Sequence, residues 1–226
     1  MFRFQNKTKN KFLIMETPIL YSFRRCPYAM RARMALRYSK ISYEHREISL
    51  SNRPKSLYDI SPKGTVPVIC LINGRVIDES IDVMKWAVNQ KDLDSWYKDQ
   101  ISEQNNLINQ NDSDFKFWLD RYKYHVRYPE DSFEKYQNKV RKILLEHNLR
   151  LEKTQFLLGD KIKLVDIAVM PFIRQAAHVN LDWFNNEFRS LAIWLEKLKA
   201  SSLFLSIMHK YEVWDEGNKG IKVGEK

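Results

Sequence analysis

The stretch Ile19-Leu20-Tyr21-Ser22-Phe23-Arg24-Arg25-Cys26-Pro27-Tyr28-Ala29-Met30-Arg31-Ala32-Arg33-Met34-Ala35-Leu36 changes backbone habit within a few residues. Ile19 to Phe23 is an extended, β-forming run, and Met30 onward is helical in character. Proline suits the first helical position, because its fixed φ fits a helix and its missing N–H would be unpaired there anyway. Cys26 is therefore predicted to be the N-cap. Free backbone N–H groups and the positive end of the helix dipole favour a thiolate there, with Arg24 and Arg25 as additional cations. On this ground Cys26 is expected to be a nucleophile that titrates below the free-cysteine value of about 8.5.

Working outward, a second extended run, Tyr43 to Ile48, follows at crossover distance and completes a β-α-β unit. After a polar segment to Lys63 come Val66-Pro67-Val68-Ile69-Cys70-Leu71-Ile72, then Asn73-Gly74, then Arg75-Val76-Ile77-Asp78. Asn-Gly between β-rich runs predicts a hairpin with a type I′ turn. A helix opening at Glu79-Ser80, with Ser80 as N-cap, carries Ile81, Met84, Lys85 and Val88. Pro67 stands at a strand entrance, where proline fits an edge or a cis turn.

Beyond Asn89 the β pattern stops, and helical periodicity takes over after a polar connector. Asp114 and Ser132 are read as helix N-caps, and Asp166 as reaching back to the N–H groups at a helix start near Lys163. Later helices are expected over 186–199 and 201–211. The predicted organisation is a basic, disordered extension over 1–16, a first domain over 17–90, a linker over 91–99, an all-helical domain over 100–219 and a tail over 220–226.

The chain has 226 residues, 44% of them hydrophobic, which supports a buried core. Its net charge is +10, yet basic and acidic residues are interleaved beyond the first fifteen positions, and no basic stripe with stacking aromatics stands out. Nucleic acid is not expected as a partner. Two cysteines, Cys26 and Cys70, make neither a disulfide framework nor a metal set, so no metal is expected. No apolar run reaches the roughly 18 residues of a membrane span, and the N-terminus lacks the apolar centre of a secretory signal. The reading is of a cytoplasmic protein.

Three segments together resemble the N-terminal domain of glutathione transferases, specifically the cysteine-containing omega-like and dehydroascorbate-reductase-like branches, and the two-domain bacterial glutaredoxin. Cys26-Pro27-Tyr28-Ala29 with Arg31-Ala32-Arg33 is similar to the active-site turn and helix. Gly64-Thr65-Val66-Pro67-Val68 is similar to the cis-proline segment, and Asp78-Glu79-Ser80-Ile81 to the γ-glutamyl-binding turn. The resemblance implies an α+β thioredoxin-like N-terminal domain followed by an all-α helical domain, with glutathione as co-substrate and a homodimer. It also implies that Val66 offers its N–H and C=O to glutathione as to an added strand, beside Pro67. Glu79 and Ser80 would hold the γ-glutamyl end, and Lys63 would meet the glycyl carboxylate.

A dithiol glutaredoxin has cysteine where this chain has Ala29, so Cys26 must act alone. The family's usual serine or tyrosine has nearby counterparts in Tyr21, Ser22 and Tyr28, read here as strand and packing residues. Cys70 is read as a core residue, and His125, His147 and His178 receive no role. Phe117, Trp118, Tyr122, Tyr124 and Trp183 are aromatics that either line a second-substrate pocket or fill the core. Two functions follow from the resemblance. One is a single-cysteine glutathione-dependent thiol transferase or reductase, which also conjugates glutathione to small electrophiles or removes it. The alternative is a catalytically silent binding module similar to the stringent starvation proteins.

Overall fold

Strand β1, Ile19–Ser22, runs parallel to β2, Tyr43–Glu47, with helix α1, Pro27–Tyr38, as the crossover between them. It pairs antiparallel on its other side with β3, Val68–Cys70, which pairs in turn with β4, Val76–Ile77. In the computed structural model, which describes residues 16–224, the sheet order is β4-β3-β1-β2-β5. The expected extension over 1–16 lies almost wholly outside the described residues. Helix α2, Lys55–Ile60, follows β2, and α3, Ser80–Gln90, follows β4. This is the thioredoxin-like arrangement predicted.

Three local expectations change. The β3–β4 hairpin is wider than a two-residue turn: Gly74 N–H donates to the Leu71 carbonyl and Leu71 N–H to the Arg75 carbonyl. Only Gly74 has positive φ, 82°, so the connection is a type I turn with a bulge at glycine rather than type I′. The N-cap of α3 is Glu79, and Ser80 is already its first helical residue. The segment read as a tail from 220 instead carries β5, Ile221–Val223, antiparallel to β2.

The residues leading to β5 strap the first domain. Trp214 N–H donates to the Glu47 carbonyl, and the Glu216 carboxylate accepts the N–H groups of Lys55 and Ser56 that begin α2. Arg46 stacks 4.2 Å from the Trp214 ring centroid. An acid at a helix start is favoured by the unpaired N–H groups there.

The second region is helical. Helix α4, Ile101–Gln110, runs through a π-turn at Asn111–Phe115 directly into α5, Lys116–Lys123. Asp114 therefore lies inside a continuous helix and caps nothing. Ser132 does cap α6, Phe133–Leu151, by accepting Lys135 N–H. Helix α7, Leu164–Ala177, is buried along nearly all its length, as expected for the central helix of a bundle. Asp166 is buried within it and accepts N–H bonds from Leu157, Lys163 and the Trp194 indole. Burial pushes its carboxyl up to about 6 against the pull of those donors. The last helices are α8, Leu181–Glu187, α9, Arg189–Lys199, and α10, Ser202–Ser206.

The connector over 91–99 is packed rather than loose. Trp96 is buried and stacks on Tyr38 with centroids 3.5 Å apart, while Asp92 accepts from Tyr38, Trp96 and Tyr97. One apolar core runs from Leu20, Met34 and Val83 across to Val169, Phe172 and Trp194. The two regions thus share this core, with α1 wedged between α3 and α7, while a smaller cluster of Tyr21, Ile48, Leu57, Val66 and Val68 lies within the first region.

Candidate functional site

Cys26 is the N-cap of α1, in extended backbone, with Pro27 as the first helical residue. The turn before it is held from below. Arg33, buried nearly two turns into the same helix, donates to the Ser22 hydroxyl and to the carbonyls of Phe23 and Arg24. Glu47 accepts Arg24 N–H at 2.6 Å and also bonds the buried His45. Arginines at 31 and 33, among the apolar residues Ala29, Met30, Ala32 and Met34, were the sequence signal for this support.

Burial pushes the Cys26 thiol up, against the N–H groups of Ala29 and Tyr28 and the charges of Arg33 and Lys116. This corrects the expectation of a depressed value. The helix terminus pulls as predicted, but desolvation outweighs it, and the helping cations are Arg33 and Lys116 rather than Arg24 and Arg25. Iodoacetamide alkylation of Cys26 in the ligand-free protein should therefore keep gaining rate with pH beyond the usual thiol range of about 8.5. An inflection well below that value would mean that the helix terminus dominates.

The thiol approaches the Val66 carbonyl at 3.5 Å, where the Val66-Pro67 peptide bond is cis. Gly64, at φ 61°, precedes this turn, and a Cβ there would lie 2.3 Å from the Tyr58 ring. The positive φ and this close approach both favour glycine here. The expected residues 26, 66 and 67 are thus brought together.

Lys63, Glu79 and Ser80 form a second group. The Lys63 ammonium contacts Glu79 at 2.5 Å and Asp78 at 3.2 Å, and these carboxylates hold it above its ordinary value. Ser80 is buried, and its hydroxyl accepts two N–H groups of Arg31. Arg31 also forms a bidentate pair with Asp112 at 2.8 and 2.6 Å, the carboxylate coming from the π-turn of the helical region. It lies between the rings of Tyr28 and Phe172, each about 5 Å away. Asp112 was not singled out from sequence. Its partner is 81 residues away, and local pattern carries no trace of such a contact.

On its other side Cys26 opens into a cleft of about 570 Å³ between the two regions. Phe23, Arg25 and Tyr28 line one wall, and Lys116, Lys123 and Tyr124 the other. Burial pushes the Tyr28 hydroxyl up to about 12, so it stays protonated. Of the five aromatics singled out, only Tyr124 faces this cleft. Tyr122 is core, Trp183 packs on Tyr122 and Phe188, Trp118 on Phe117 and Tyr136, and Phe117 lies under Arg121. Cys70 pairs in register with Ile19, at the end of β1 away from Cys26, so it stands apart from the site.

Residues 20–95 match the glutathione S-transferase N-terminal domain and residues 111–201 the C-terminal domain. Rat glutathione S-transferase omega-1 is 24% identical over 197 residues, covering 82% of this chain and 80% of its own. Pyrimidodiazepine synthase of Drosophila melanogaster is 22% identical over 212 residues, covering 87% and 83%. Among solved structures, the glutathione transferase URE2P6 of Phanerochaete chrysosporium, in complex with oxidized glutathione, superposes with a TM-score of 0.75 at 19% identity, covering 84% of this chain and 94% of its own. The glutathione transferase Omega 3C of Trametes versicolor gives 0.74 at 17% identity, covering 88% and 91%. With both domain families matched in order and the fold shared, the chain belongs to the glutathione S-transferase family.

Proposed function

We propose that the protein is a glutathione-dependent thiol transferase in which Cys26 is the only nucleophile. The observation that carries this reading is the position of Cys26: its sulfur lies against the Val66 carbonyl on one side and opens into the cleft on the other. A peptide-like thiol paired with Val66 would bring its own sulfur to Cys26, and the cleft would hold what is exchanged. The thiolate attacks a glutathione mixed disulfide, the reduced partner leaves, and Cys26 becomes glutathionylated. A second glutathione then resolves it, since position 29 is alanine. Similarity to an omega-class relative supports a cysteine-based reaction over a silent binding module. Retention on immobilised glutathione and reduction of hydroxyethyl disulfide are the tests, and a protein that does neither is a binding module.

Glu79 and Ser80 are assigned to the γ-glutamyl end and Lys63 to the glycyl carboxylate. An extended tripeptide spans roughly 10 Å, so Lys63 must leave Glu79 to serve the other end. The pair is exposed, 49% and 61% for the two side chains, and solvent screens such a surface bridge, so a ligand with three charges can open it. Glu79→Gln and Lys63→Ala should raise the KM for glutathione about 10-fold and leave kcat nearly intact, as for groups that bind ground and transition states alike. A fall in kcat at unchanged KM would assign them to the reacting centre instead.

A further inference from the structure

The cleft beside Cys26 carries more positive charge than sulfur exchange requires. Lys116, Asp120, Lys123 and Tyr124 follow one another at i, i+4, i+7 and i+8, so one face of α5 and its end looks into the cleft. Lys116 is paired with Asp120. Lys123 and Arg25 meet no carboxylate within ion-pair distance among the described residues. Each rests on an aromatic ring instead, Lys123 4.9 Å from the Tyr124 centroid and Arg25 5.8 Å from that of Phe23. None of Lys63, Val66, Pro67, Glu79 and Ser80 lines this cleft, so its cations are distinct from the groups assigned to glutathione. The start of α1 adds the positive end of a helix dipole.

We infer that the cleft selects a second substrate whose departing group is anionic: a mixed disulfide of glutathione with a small thiol that carries a carboxylate. The inference rests on the thiol-transfer reading and names its substrate class. In the reaction, the Cys26 thiolate forms a bond to the glutathionyl sulfur, the disulfide bond breaks, and the carboxylate-bearing thiol leaves as its thiolate. Glutathione thiolate then attacks the Cys26 mixed disulfide, giving oxidised glutathione and returning Cys26 as thiolate. The number of disulfides is unchanged: the sulfur of the attacking glutathione rises to the disulfide level as that of the departing thiol falls to the thiol level. Fixed cations in a walled cleft attract the carboxylate and oppose the charge that develops on the departing sulfur, so they act on binding and on the transition state.

The test uses two inert thioethers that differ only in charge, S-(2-carboxyethyl)glutathione and S-(2-aminoethyl)glutathione, titrated calorimetrically into the whole protein. The carboxylate should bind about 10-fold tighter, and added salt should shrink the difference. Lys123→Glu should abolish or invert the order, and Lys123→Met and Arg25→Met should each reduce it, with the affinity for glutathione itself unchanged. Mixed disulfides of glutathione with 3-mercaptopropionate and with cysteamine should show the same order in kcat/KM. Equal affinities for the thioethers, or a preference that survives these substitutions, would overturn the inference. So would a loss of glutathione affinity in step with the loss of preference, because the cations would then serve the tripeptide. Thioether binding needs no thiol chemistry: failure of Cys26 as nucleophile would appear as unchanged turnover in Cys26→Ser, and leaves the charge preference separately measurable.

Discussion

Serine at position 26 should reduce glutathione-dependent disulfide reduction by about 10³-fold or more, equivalent to roughly 4 kcal/mol of barrier, while the protein stays folded. The two effects separate because serine is a strong N-cap and cysteine is not: in this structure the Cys26 side chain makes no capping bond. The variant should therefore melt no lower than the wild type. A hydroxyl cannot form a disulfide, and no other cysteine can substitute. Cys70 sits opposite Ile19, at the far end of β1, and its sulfur is 3.9 Å from the Leu71 carbonyl. Cys70→Ser should keep activity within about twofold, as a substitution away from the reacting groups does. Hydroxyethyl disulfide reduction coupled to glutathione, measured on both variants, is the check. A Cys26→Ser protein within tenfold of wild type would remove Cys26 from the chemistry.

The second large effect is on stability. Arg31→Met should destabilise the fold by about 3 kcal/mol or somewhat more, near the lower end of what breaking a buried ion pair costs. The arginine side chain is 1% exposed, whereas Asp112 is 27% exposed, so water relieves part of the stranded carboxylate. Ser80 loses both donors at the same time, and Tyr28 and Phe172 lose the guanidinium between them. Lysine at position 31 should recover only a fraction, because an ammonium cannot serve Ser80 and both carboxylate oxygens in one plane. Urea unfolding of the two variants measures this. A loss under about 1 kcal/mol in Arg31→Met would show that α1 is joined to the helical region by apolar packing alone.

Four of the five strands, the first helix and the Cys26 turn were legible in the sequence because each depends on neighbours a few residues apart, whereas β5, read as a tail, pairs with a strand far away in the chain. Proline after Cys26, the alternation of Tyr43 to Glu47 and the apolar run before Asn73-Gly74 are local signals, and all three give elements where expected. Ser132 was read as an N-cap on the same basis and is one. Asp114 carried an equally good local signal and failed, because the helix begins thirteen residues earlier and passes through a π-turn at 111–115. In the site, the residues that the resemblance points to carry their signal in short motifs, whereas those that support or charge the site do not. Asp112 answers to Arg31, Glu47 to Arg24, and Lys123 to a cleft formed only when α5 meets the β1–α1 turn. The electrostatic state of Cys26 failed for a related reason. A helix terminus is visible in sequence, but the desolvation that opposes it comes from the whole surrounding structure.

The strand β5 has a consequence for synthesis. The Gly220 N–H that donates to Glu44 is 176 residues downstream of it. At about 5 to 20 residues per second, a ribosome needs about 9 to 35 s to make that intervening chain. Throughout that interval β2 has no outer neighbour, and a bare strand edge is a template for pairing with other chains. Loop closure over such a span is also slow to be repaid. The thioredoxin-like region therefore leaves the ribosome first and is sealed last, and until then the outer edge of β2 is open to pairing with other chains.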